Sequence, residues 1–130
     1  MIRGLKVAMI VFGAIGILHG LTLIFIPEQL GAMMGYAKGP AYVAYFLAML
    51  GICVIVPSAF LIVAARDPLK HIMWVQFAIA WAILAVAVDV YSIMRGFVAF
   101  EQAGMSVIID AVFAVAFLAL YPYRAARSSD

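Results

Sequence analysis

The sequence predicts an all-α, polytopic membrane protein: four transmembrane helices in one antiparallel bundle, with both termini cytoplasmic. Three observations lead there. Of 130 residues, 69% are hydrophobic and 11% charged, with a mean hydropathy of +1.21, whereas soluble domains carry about 25% charged residues and under about 50% apolar ones. Stretches of about 18 or more nearly uncharged residues recur four times, each long enough to cross a hydrocarbon core of about 30 Å. With the N-terminus inside, Arg3, Lys6, Arg66, Lys70, Arg124 and Arg127 all fall on the inner side, and only Lys38 and Arg95 fall outside. The chain reads as a single transmembrane domain over 1–130 with no room for an extramembrane module. The placement puts both termini on the cytoplasmic side of the membrane.

The first span, about 5–26, follows Arg3 and Lys6 and stops at Pro27. Its charged start resembles a signal peptide. The apolar run is longer than a signal core, however, and no small-x-small cleavage site follows promptly, so it reads as a retained helix. Gly13, Gly16 and Gly20 line it, and Gly16 and Gly20 have the spacing that lets two helix backbones approach closely. The stretch 27–35 reads either as a short interfacial helix or as plain loop. Proline suits its first position, Glu28 its positive end and Gly35 its finish, with Leu30, Met33 and Met34 turned to lipid or bundle.

The second span, 41–64, carries a small-residue face of Ala41, Ala44, Ala48, Gly51 and Ser58, and Tyr42 and Tyr45 mark the water interface at its start. Pro57 removes the hydrogen bond to the Cys53 carbonyl and predicts a kink. Cys53 is the one cysteine, so no intrachain disulfide can form, and it reads as an inert core residue. A short charged turn, Ala65–His71, leads into the third span, 72–95. The fourth, about 104–121, is near the lower length limit for crossing and starts after a link over 96–104. Glu28-Gln29-Leu30-Gly31 and Glu101-Gln102-Ala103-Gly104 match at three of four positions, which hints at two repeated hairpins, although the flanking helices do not align.

The residues that could carry chemistry lie at one depth. Asp89 sits on a stripe with Ala78, Ala82, Ala85 and Ser92, which share a face because each residue advances about 100°. A carboxylate at membrane depth costs about 2.5–3.5 kcal/mol even on lenient insertion scales, so it should face protein and have a partner. Counting about 1.5 Å of rise per residue places His19, Asp89 and Asp110 all roughly 9–11 Å below the outer surface. Two carboxylates side by side in low dielectric resist ionising together, and a histidine beside them could take up a proton. Tyr91, Ser92, Ser106, Thr22 and Gln102 are near enough in height to add hydrogen bonds, and Arg95 could reach down to Asp89 or up to the headgroups. The competing reading is that these polar groups only orient the helices, through interhelical bonds averaging about 0.6 kcal/mol.

Other functions find little footing. The basic residues form no face for nucleic acid despite a net charge of +2, and no CxxC pair, phosphate loop or serine-nucleophile setting is present. The first span lacks the acid of small multidrug exporters, since its only ionisable residue is His19. A metal held by His19 and the two acids has no spacing motif behind it, and His71, at the inner end of its span, reads as a solvated interface residue. The sequence requires no cofactor, so cofactor identity stays unknown; a haem or chlorophyll ligated by His19 alone is the lesser reading.

Pro27 with Leu30-Gly31 after the first span, Asp89 late in the third and Asp110 in the fourth give an outline similar to the small four-helix bacterial inner-membrane proteins of the DoxX-like kind. That resemblance implies a four-helix bundle and transfers no catalytic residue. Three functions are then weighed. The first is a non-enzymatic membrane subunit or binding bundle, a homo-oligomer or part of a larger complex, whose outer-leaflet polar pocket holds a lipid, quinone, pigment or partner protein. The second is a proton-coupled small transporter using Asp89, Asp110 and His19. The third is a small acid/base enzyme acting on a lipid-like substrate.

Overall fold

The computed structural model describes residues 1–123; Arg124 and Arg127, counted above on the inner side, lie outside the described residues. The chain is all-helical there: α1 Ile2–Phe25, α2 Pro27–Met33, α3 Ala41–Ala64, α4 Ile72–Met94 and α5 Phe100–Leu120. α1, α3, α4 and α5 are each long and apolar enough to cross a membrane. Their surfaces are apolar too: Leu18, Phe25, Leu84, Val112 and Val115 are all more than half exposed, the reverse of a water-soluble bundle.

The helices associate as two tight pairs. α1 packs on α3 through its glycines, as the small-residue spacing predicts. A Cβ on Gly13 would meet the Ser58 carbonyl oxygen at 2.8 Å, one on Gly16 would collide with the Ser58 hydroxyl, and one on Gly20 would lie 2.7 Å from the Gly51 carbonyl oxygen. The pairings descend α3 as they ascend α1. α4 packs on α5, with the Gln76 amide donating to the Tyr121 hydroxyl at 2.8 Å. The pairs meet most closely at one end of the bundle. There Leu5 and Met9 of α1, Leu61 and Ala64 of α3, Val75 and Ala78 of α4 and Phe117 of α5 form the buried cluster. Phe12 joins it from α1, its ring 4.7 Å from Phe113 and 5.5 Å edge-on from Phe117. The Lys6 ammonium donates to the Arg66 carbonyl at 2.8 Å and ties the start of α1 to the α3–α4 turn. This is the terminal end, where α1 begins and α5 finishes; α2 lies at the far end.

Several expectations are refined. The stretch after Pro27 is a helix rather than plain loop. It closes with Gly35 at a φ of 79°, the Tyr36 amide bonding the Gly31 carbonyl at 2.9 Å and the Gly35 amide the Ala32 carbonyl at 3.1 Å. That double bond is the Schellman ending that glycine permits, and Gly96 ends α4 in the same way. Pro57 lies inside α3, which is helical from Ala41 to Ala64. Cys53 is exposed, not core, because Gly51 already faces α1 and two residues further on the helix has turned away. α5 begins at Phe100, four residues before the expected start. The reason is the Gln102 side chain, whose Oε1 accepts the Ala99 amide at 2.9 Å. The two matching tetrads both open a helix, Glu28 following Pro27 in α2 and Glu101 following Phe100 in α5. An acid and a glutamine in the first turn are common helix-start chemistry, which accounts for the likeness without a repeat.

Candidate functional site

The α4–α5 pair assembles the polar residues. Ala78 and Ala82 are fully buried on the α4 stripe, so the same face carries Asp89 toward α5. Asp89 and Asp110 are neighbours across the α4–α5 pair, and the Ser106 hydroxyl, one turn before Asp110, lies beside the Asp110 carboxylate. Among the described residues neither acid has a cationic partner within 4 Å, and the one ion pair is Lys38–Glu28.

One atom of the pair stands out. Asp89 Oδ2 is buried with no hydrogen-bond partner, the only buried side-chain oxygen or nitrogen in that position among the described residues. A buried acceptor left without a donor costs about 1–3 kcal/mol, more when charged. A proton carried between the carboxylates, or a donor on a bound molecule, would satisfy it.

The other predicted residues are placed differently. His19 is exposed on α1; its carbonyl accepts from the Thr22 hydroxyl at 2.7 Å, and no hydrogen bond or ion pair joins its ring to either acid. Accordingly His19, Asp89 and Asp110 do not make a metal-holding group, and none occurs among the described residues. Arg95 does not reach Asp89; its guanidinium lies 5.8 Å from the centroid of the Phe97 ring, just beyond the Gly96 turn. Tyr91 is exposed and packs edge-on against the same Phe97 ring at 6.2 Å. Ser92 is half-buried, and its carbonyl takes the Phe97 amide at 2.9 Å. His71 caps the start of α4, its Nδ1 lying 3.0 Å from the Asp67 carbonyl.

Two features were not foreseen. Gln102, expected only as a nearby polar group, does two jobs at once: besides capping α5 it donates from Nε2 to the Gly35 carbonyl at 3.2 Å, joining the two helix pairs at the far end. The second is a cleft of about 590 Å³ between α2, its trailing loop and the first turns of α3. Glycine and proline at 35, 39 and 40 signalled a chain reversal there, but no pattern of residues signals that the reversal encloses space.

The chain matches no family model, no curated protein and no solved structure.

Proposed function

We propose that this chain is a small integral subunit or binding bundle of a bacterial inner membrane, antiparallel in its helix order, with both termini cytoplasmic. On this reading the outline likeness to DoxX-like proteins reflects a shared architecture. The bundle works as a homo-oligomer or within a larger membrane complex, and its outer half binds a lipid, quinone or pigment, or docks a partner. The observation that carries the reading is the unpartnered Asp89 Oδ2 beside Asp110 in the α4–α5 pair. An acceptor held at that depth selects an amphiphile that brings its own O–H or N–H donor.

Purification from native membranes in mild detergent, followed by mass spectrometry of what stays bound, tests this. A donor-bearing amphiphile or a partner subunit should accompany the wild-type chain and be depleted from Asp89→Leu. A bare chain under several gentle conditions would sink the proposal.

The closeness of Asp89 and Asp110 favours a second reading, proton-coupled transport, now resting on the two acids without His19. In proteoliposomes Asp89→Asn and Asp110→Asn would each abolish proton-linked flux. Flux unchanged by both substitutions removes this reading.

A further inference from the structure

α2 and its loop lie between Phe25, where one span ends, and Ala41, where the next begins. In a bilayer they therefore occupy the membrane–water boundary. The reversal at Gly35 folds the loop back toward α3 and leaves the cleft of about 590 Å³, a volume typical of ligand sites. Its wall changes character with depth. Glu28 and Lys38 stand at the rim with Tyr36, while Val43, Ala44 and Leu47 of α3 form the apolar side that continues into the span.

The rim charges are paired with each other, Lys38 Nζ lying 3.2 Å from Glu28 Oε2, yet their side chains are 77% and 57% exposed. An ion pair that open to solvent holds the fold together only weakly, so either member can exchange its partner at little cost. A ligand that offers both charges, close together, replaces the pair without leaving either group alone.

We propose that this cleft is a headgroup site for a zwitterionic phospholipid of the surrounding leaflet. Lys38 takes the lipid phosphate, Glu28 takes its ammonium, and the first acyl methylenes follow Val43 and Leu47 down α3. Charge complementarity selects the class: an anionic lipid would gain Lys38 and be repelled by Glu28, whereas a phosphoethanolamine head satisfies both. Depth selects the source, since the inner wall belongs to a helix long and apolar enough to cross the membrane. Tyr36 beside the rim suits the amphipathic interface. The site shares no residue with the Asp89–Asp110 pair and lies on different helices, so the two proposals fail separately.

The test uses the full chain in nanodiscs of phosphatidylethanolamine and phosphatidylglycerol in equal parts, with retained lipid counted by native mass spectrometry. Wild type should retain phosphatidylethanolamine at least fivefold over phosphatidylglycerol. Glu28→Gln should reverse that preference, Lys38→Gln should lower retention of both, and Glu101→Gln, exposed on α5 away from the cleft, should leave the wild-type pattern unchanged. Equal retention of the two lipids by wild type, or a wild-type pattern in both Glu28→Gln and Lys38→Gln, overturns the proposal.

Discussion

Gly20 and Gly51 face each other across α1 and α3: a Cβ on Gly20 would lie 2.7 Å from the Gly51 carbonyl oxygen, and one on Gly51 would lie 2.6 Å from the Gly20 carbonyl oxygen. Both obstacles are backbone atoms of regular helices, which cannot swing aside as a side chain can. Gly20→Ala and Gly51→Ala should therefore each force the helices apart and cost about 1–3 kcal/mol. Gly31→Ala is the control, since its Cβ would meet only the Tyr36 Cβ at 4.0 Å. It should be neutral or gain up to about 1 kcal/mol from helix propensity. Denaturant unfolding in detergent micelles measures all three, and equal stability of Gly20→Ala and Gly31→Ala would refute the close-packed seam.

Phe117 is fully buried where all four long helices meet. Phe117→Ala should be among the most damaging single truncations, at about 3–5 kcal/mol. Phe97→Ala, at an exposed ring that meets Tyr91 and Arg95, should cost under about 1 kcal/mol. The same unfolding assay ranks them, and a reversed order would mean the core has been misplaced.

At Asp89 stability and function should part company. Asp89→Asn keeps an acceptor and adds a donor at the buried, unpartnered position, so the bundle should gain about 1 kcal/mol. Ligand retention or proton-linked flux should fall in the same variant. A variant both less stable and fully functional would show that the pair merely orients α4 on α5.

Gln102 serves two ends through two atoms, and its variants separate them. Gln102→Ala loses both the Ala99 cap and the Gly35 bond and should cost about 1–2 kcal/mol. Gln102→Glu keeps an oxygen for the Ala99 amide but has no N–H for Gly35. Hydrogen exchange should then quicken at residues 33–40 in both variants, and at 99–103 only in Gln102→Ala. Exchange unaltered at 33–40 would show that the Gly35 bond does not hold that loop.

What the sequence disclosed follows from what one-dimensional patterns encode. Hydropathy placed α3 at its observed bounds and α4 to within one residue, because both end at strong local signals, Pro40, Asp67-Pro68 and Gly96. Depth counting paired Asp89 with Asp110 on adjacent helices, and small-residue spacing found both sides of the α1–α3 seam. Height along an axis says nothing of direction around it, however. His19 matches the acids in height, but Gly20, one residue and about 100° further on, is what faces α3. Proximity in sequence left Arg95 two directions, down to Asp89 or up to the headgroups, and the Gly96 turn delivers it to Phe97. The start of α5 was hidden because Phe100–Gly104 reads as a polar link until Gln102 is seen capping it.

The concentration of buried side chains at the terminal end has a mechanical consequence. Each helix pair is stiff along its length, and the contact between pairs is a fulcrum near Met9 and Phe117. From Met9 to Phe25 the rise of about 1.5 Å per residue gives an arm of about 24 Å, so a rotation of about 5° moves the far tip by about 2 Å. The Gln102–Gly35 hydrogen bond, at 3.2 Å the only one between the pairs at that end among the described residues, cannot survive such a displacement. A single latch thus holds a pair of long levers, and whatever presses on that end of the bundle acts on it with the full leverage of the helices.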